Sequence, residues 1–539
     1  LTIRIKDDPN GAGLQNIVPD NKESVVVDTA SGTKIVTPIW EEGRMVSARV
    51  DMGEPSVALE DIPAIAPGHS MIMDYPIEIN GETIKINCAS MGNPHAIAFI
   101  ETPVEDYPLD TEVPETIMGF PGVKNHDNVL GYKSITVPGA VSGLCEALNK
   151  FGKLGIDSVL SKTIELADRG LPVDWYTTLQ IAIEAEDLSK FTETSRVYLK
   201  NNFPPKPEQY LKLGNLSKTL KRISENGPNE FYQGKLAQEI ASDLQEGGSR
   251  ITEEDLASYS FKYNDPLVAN YKNKTLYTAG ENSGGMRLNE AFRFVEENLD
   301  RSIPFGPHAY VTYAKALNKA FVSHRKRLQK SINHGCTSHM SAVDSEGNMV
   351  ALTYTLLNRF GSKVVLPKTG ILMNNSVSYF DPRPGFSTTI EGGKRINSSN
   401  MCPTICVDNQ KANFSVGASG ANHIVPCTMQ IAAFLLDYEF SLEKAFSLPR
   451  LDVNESDTIT VDPEIDISII DELKKYFQIE FAQNLVFPKL YSCPSGVYRN
   501  SKGLNFGASD TSSPVASAVE ENIYKINNHL GSNFNLVRA

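Results

Sequence analysis

The sequence predicts an α+β protein in three stretches, and three observations predict it. Short β-prone runs split by Gly, Asp and Pro fill residues 24–102. Apolar residues at helical spacing dominate from about residue 140 to residue 328. Strand patterns return from Thr337 onward, with helices after Asn422 and around residues 471–476. The 539-residue chain is long enough for two to four domains. Its 41% hydrophobic and 22% charged residues are those of an ordinary globular protein.

The first strands fall at Val25-Val26-Val27, Lys34-Ile35-Val36, residues 46–50 and residues 83–86. Pro103, Pro108, Pro114 and Pro121 then punctuate an acidic, helix-poor stretch, which marks a boundary. Beyond it Val141, Leu144, Cys145, Leu148 and Phe151 form one face of a helix opened by Val137-Pro138-Gly139. A second helix is expected over residues 158–169, stopped by Gly170 and Pro172, and a third over residues 309–328.

The net charge of −14 argues against a nucleic-acid partner, because neutralising phosphates needs clustered Lys and Arg. The basic run His324-Arg325-Lys326-Arg327 reads as a solvated helix end, where positive charge suits the dipole. No stretch approaches the roughly 18 or more apolar residues of a membrane span. The opening Leu-Thr-Ile-Arg-Ile-Lys has no signal-peptide pattern, which leans towards the cytoplasm while leaving the compartment open. Seven cysteines form no disulfide framework, and Cys402 and Cys406 read as buried thiols rather than metal ligands.

The most informative segment runs from Gly335-Cys336-Thr337 through His339 to Asp344, and then from Gly347-Asn348 to Leu356. Two β-prone runs flank a polar turn, which is a hairpin signature. Pairing Asp344 with Asn348 places Thr337 opposite Thr355. Two readings follow. The pair is an ordinary cross-strand Thr–Thr contact, or Thr355 orients the Thr337 hydroxyl, a poor nucleophile until it is positioned and given a base.

The segment Thr337-Ser338-His339-Met340-Ser341-Ala342-Val343-Asp344, followed by Gly347-Asn348 and Thr353-Tyr354-Thr355-Leu356, resembles the start of the γ-glutamyltransferase small subunit. The resemblance continues through Gly370-Ile371-Leu372-Met373-Asn374-Asn375, Gly393-Lys394-Arg395, Pro403-Thr404-Ile405, Gly417-Ala418-Ser419-Gly420-Ala421 and Gly507-Ala508-Ser509-Asp510. Upstream, residues 137–141, residues 251–259 and Ser283-Gly284-Gly285 resemble large-subunit segments. The resemblance implies the four-layer αββα sandwich of N-terminal nucleophile hydrolases and no metal or organic cofactor. It implies self-cleavage between Cys336 and Thr337, after which the Thr337 hydroxyl is the nucleophile and its freed amine the base. Thr355 matches the supporting threonine, and Ser398 and Ser399 the pair that holds a substrate carboxylate. Gly420 and Ala421 match the oxyanion-hole amides. Unpaired amides at a helix start suit a developing oxyanion. His339, Ser341 and Asn358 read as scaffold.

Two departures stand out. Tyr379 occupies the place of the aspartate that binds a donor's α-amine, and a neutral phenol cannot pair with ammonium as a carboxylate does. The family's N-terminal core, with its substrate-binding arginine, is not recognisable. Residues 24–102 instead resemble the middle of diaminopimelate epimerase through residues 50–55 and 90–96, including Asn93 and His95, without its two cysteine motifs. The expected organisation is therefore a β-rich, non-catalytic epimerase-like region over 1–115, a large-subunit-like region over 121–336 and a small-subunit-like catalytic region over 337–539. The expected partners are a small amide or γ-glutamyl substrate and the two fragments of the chain itself. The alternatives are a related amidase such as a glutaryl-amide hydrolase, or a catalytically dead fusion.

Overall fold

The computed structural model of the protein describes residues 126–280, 283–328, 336–380, 392–396, 399–453, 458–486 and 491–520. It also describes residues 2–4, 25–29, 32–41, 44–51, 71, 75–79, 82–90, 94–98, 123 and 536–538. The chain divides into two compact units, Leu1–Glu112 and Val113–Ala539. The first contains an antiparallel four-stranded sheet, ordered Thr2–Arg4, Arg44–Asp51, Gly32–Glu41, Val25–Thr29. A three-stranded sheet of Tyr75–Ile79, Glu82–Ser90 and Pro94–Ala98 accompanies it. Asn93 and the proline-punctuated stretch lie outside the described residues.

The second unit is built on a seven-stranded antiparallel sheet. Its order is Leu267–Tyr271, Lys274–Thr278, Thr404–Asp408, Lys411–Ser419, Cys493–Arg499, Asn505–Ser509, Leu536–Arg538. One face is covered by the helices Gly285–Asn298, Pro307–Leu328 and Ile424–Asp437, which share its largest apolar core. In Ile424–Asp437 every residue before Asp437 is buried. That is why the sequence shows a continuous apolar run there instead of an amphipathic stripe. Each large aliphatic or aromatic side chain so buried contributes about 1.5–3 kcal/mol. Cys402 and Cys406 lie in this core, and burial pushes their thiols up to about 11 and about 12.

On the other face of the sheet lies the expected hairpin, Cys336–Val343 paired with Met349–Leu357. It is fastened by polar contacts between the layers. Ser341 and Ser415 hydroxyls lie 3.0 Å apart, and Ser495 Oγ donates to the His339 carbonyl at 3.1 Å. His339 Nδ1 and Nε2 meet Thr353 Oγ1 and Ser341 Oγ at 2.7 and 3.1 Å, so this histidine is scaffold, as its strand position suggests. A Cβ on Gly417 would sit 2.3 Å from the imidazole, so the central sheet must present a glycine at that point.

Helices Ala140–Phe151 and Ile156–Arg169 form where helical spacing predicts them. Neither contains a fully buried residue, and Leu144 and Phe151 are exposed. The expected apolar face of the first is engaged mainly through Val141, which packs on a satellite core around Leu236, Ile240 and Leu244. Residues 251–259 enter that core through a capping box, in which Thr252 and Asp255 exchange side-chain-to-backbone hydrogen bonds. The helix expected at residues 471–476 forms earlier, as Ile467–Leu473, because the Asp466 side chain caps it by accepting from the Ser468 amide.

Candidate active site

The hairpin register places residues 338–343 against 349–354 as expected. At its open end the register slips by one. Cys336 pairs with Leu357, so the single residue Thr337 faces both Thr355 and Leu356 in a β-bulge instead of pairing with Thr355 alone. The cause lies in the second strand. Leu357 takes a left-handed φ of 81° and its amide donates to Thr355 Oγ1 at 2.7 Å, which tightens the strand end. An aliphatic residue in that region costs roughly 1–2 kcal/mol, and the burial of Leu357 offsets it.

Thr337 and Thr355 open into a cavity of about 980 Å³ that Gly420 and Ala421 also line. Three separate segments thus converge on one space. Gly420 and Ala421 follow the end of Lys411–Ser419, past its last ladder pair with Cys493. Gly420 has φ 131°, and a Cβ there would lie 2.8 Å from Ser492 Oγ, so only glycine fits. Ala421 also has a left-handed φ of 51°. A short 3-10 turn, Ala421–His423, then leads into Ile424–Asp437, with the His423 amide donating to the Gly420 carbonyl at 3.0 Å. The first amides of a helix have no carbonyl partner one turn back, which gives this junction its capacity for a negative oxygen.

The other site residues read from the sequence fall less uniformly. Ser398 lies outside the described residues, and nothing is described of the Cys336 side chain. Ser399 is buried, and its carbonyl accepts from the buried Arg287. The adjacent Asn400 accepts from Arg287 through Oδ1 and donates to Asn422 Oδ1 at 2.9 Å, which ties this segment to the residue after Ala421. Tyr379 ends the 3-10 helix Ser376–Tyr379 and is not among the described residues lining the cavity. Burial pushes its phenol up to about 12, so it is neutral. Asn374 and Asn375 are braces. Asn374 exchanges hydrogen bonds with Thr136, and Asn375 accepts from the Asn358 amide at 3.0 Å and donates to the Val129 carbonyl at 2.9 Å.

Sequence reading missed two features. His423 lines the cavity, and its Nδ1 lies 2.8 Å from the buried Asp452 carboxylate. Burial pulls the imidazole down, but the charge and hydrogen bond of Asp452 outweigh it and the net shift is upward. Glu184, Arg359 and Lys363 form an ionic cluster on the same cavity. Neither pairing follows a helical or strand period, so no local pattern could have announced them. Among the described residues no group of three or more His, Cys, Asp or Glu side chains could hold a metal ion. No described helix is long and apolar enough to cross a membrane.

This layered fold is that of the N-terminal nucleophile hydrolases. Its architecture matches cephalosporin acylase from Bacillus halodurans with a TM-score of 0.64 at 20% identity, over 77% of this chain and 80% of that one. Residues 114–328 and 308–518 match the model of the gamma-glutamyltranspeptidase family, and the chain belongs to that family. The acylase ACY 1 proenzyme of Pseudomonas sp. (strain SE83) is 30% identical over 367 residues, covering 61% of this chain. The chain spans 66% of that relative's length. The glutathione hydrolase proenzyme of Escherichia coli (strain K12) is 27% identical over 442 residues, covering 72% of this chain and 76% of the relative. The resemblance of residues 24–102 to diaminopimelate epimerase is not borne out. The family match begins at residue 114, and these relatives are acylase and glutathione hydrolase proenzymes.

Proposed function

We propose that the chain is a self-processing acyl-transfer enzyme that uses Thr337 to open amides. The observation that carries this reading is the convergence of Thr337, Thr355, Gly420 and Ala421 on one cavity. In processing, Thr337 Oγ1 attacks the Cys336 carbonyl carbon, the peptide C–N bond breaks and an ester forms. Water then hydrolyses that ester, leaving residues 1–336 with a carboxylate and residues 337–539 with a free amine. In turnover the amine takes the Thr337 hydroxyl proton as Oγ1 adds to the substrate carbonyl. The Gly420 and Ala421 amides donate to the oxyanion. The leaving amine takes the proton, and water or an acceptor amine resolves the acyl-threonine. Thr355 orients the nucleophile through its hydroxyl.

A γ-glutamyl amide is the first donor class, from the family. A related acylase donor is the second, favoured by the Pseudomonas relative. Mass spectrometry of the purified protein tests the reading. It should show fragments 1–336 and 337–539, and Thr337→Ala should give one inert chain. A fully active but uncut wild type would overturn the mechanism, and an uncut, inert one would mark a scaffold without catalysis.

A further inference from the structure

Asp452 sits in the short strand Leu451–Val453, where all three residues are buried. Among the described residues His423 is the one hydrogen-bond partner of its carboxylate, with Nδ1 2.8 Å from Oδ2. A buried carboxylate is costly unless its partner shares a proton or a positive charge with it. The pair is braced from behind. Gln430, fully buried in the helix Ile424–Asp437, accepts from the Leu451 amide at 3.0 Å. Its Nε2 donates to the Leu451 and Pro426 carbonyls at 2.7 and 2.8 Å. The strand that carries Asp452 is thereby fixed to the helix that begins just after His423.

The other end of the imidazole is open. The His423 side chain is 34% exposed and lines the cavity that Thr337 also lines. Its Nε2 has no hydrogen-bond partner among the described residues. In the neutral ring Nδ1 keeps the proton that it shares with Asp452, so Nε2 carries the lone pair. The Asp452 charge also makes that lone pair more basic than an ordinary histidine's. His423 follows Ala421 closely, and its amide donates to the Gly420 carbonyl at 3.0 Å. This base is therefore anchored to the oxyanion turn and not to the strand of the nucleophile.

We propose that His423 is the base that activates the acceptor, with Asp452 as its positioning residue. This rests on Thr337 being the nucleophile and concerns the second half of the reaction. Nε2 takes a proton from water or an acceptor amine as the acceptor's oxygen or nitrogen bonds to the acyl carbon of the acyl-threonine. The Gly420 and Ala421 amides hold the oxyanion. The C–Oγ1 bond then breaks, and the imidazolium proton returns to Oγ1. Acylation needs no such help, because the freed Thr337 amine already serves its own hydroxyl.

Single turnovers of γ-glutamyl and butyryl p-nitroanilides, with enzyme in excess, separate the two halves. Release of p-nitroaniline reports acylation, and the acyl mass on fragment 337–539 reports its decay. His423→Gln should leave acylation nearly unchanged and slow the decay by about a hundred-fold or more. Asp452→Asn should slow the same step by less. The wild-type decay should show a solvent deuterium isotope effect that His423→Gln reduces. Hydroxylamine, which attacks without a base, should restore the variant's decay. Equal slowing of both steps, or an unchanged decay, would overturn the proposal while p-nitroaniline release kept Thr337 as the nucleophile. A wild type that neither donor acylates would remove the nucleophile and this base together. Should His423→Gln fail to fold or to cut itself, the same two rates in Asp452→Asn decide.

Discussion

At the scale of single residues, the junction after Ser419 holds two different conformational demands. Gly420 cannot carry a side chain, whereas Ala421 carries one in a conformation that costs an L-residue roughly 1–2 kcal/mol. Ala421→Gly should therefore leave stability unchanged or raise it by up to about 1 kcal/mol, after the looser unfolded chain is counted. Ala421→Val should lower the melting temperature and the rate together. Beside it, the imidazole of His423 is held above its ordinary value, because the charge and hydrogen bond of Asp452 outweigh burial. A raised folded value means that the pair's contribution is fully present below the unfolded histidine value of about 6.5 and is lost as pH rises through the folded value. Because the histidine side chain is 34% exposed, the contribution is about 1 kcal/mol or less. Melting curves of wild type and Asp452→Asn should differ most at about pH 5 and converge towards about pH 9. A gap that widens with pH would refute the assignment.

At the scale of elements, the hairpin was legible because its turn and its alternation set the register without help from the rest of the chain. The bulge at Thr337 was not legible, because it follows from the left-handed Leu357 and the Thr355 hydroxyl bond, neither of which leaves a periodic trace. His339 shows how tightly the two sheets are joined. Burial pulls its imidazole down to about 4, so it is neutral in the folded protein. The unfolded chain binds a proton there first, and stability should rise with pH between about 4 and 6.5. His339→Asn should flatten that slope, as read by urea unfolding at several pH values. Gly417→Ala, which pushes a methyl group into the imidazole, should cost about 1–3 kcal/mol.

Across the whole molecule, the α+β class and the main helices could be read because continuous apolar runs and Gly or Pro stops are local signals. Much of the cavity wall could not. Glu184 meets Arg359 and Lys363 across more than a hundred residues of sequence. Only the folded chain brings those charges together. The same is true of Asp437, whose carboxylate is fully enclosed at the end of its helix. It accepts from Tyr271 Oη at 2.8 Å, from Arg301 Nε at 3.0 Å and from Tyr313 Oη at 3.3 Å. Asp437→Ala strips Tyr271 and Tyr313 of their acceptor while Arg301 keeps Glu296 at 2.9 Å, so it should destabilise the second unit by about 1–3 kcal/mol in denaturant unfolding.

The ladder between Lys274–Thr278 and Thr404–Asp408 crosses the Cys336–Thr337 junction, as does the Arg301–Asp437 pair. If the proposed self-cleavage cuts it there, the protein becomes two polypeptides sharing one sheet, and its folding acquires a memory. The intact chain finds its native state by a first-order search, because the halves are tethered. The mature pair, fully denatured, must meet by collision, so regain of structure becomes second order and competes with aggregation. Refolding yield should fall on dilution for the processed protein and stay constant for the Thr337→Ala chain.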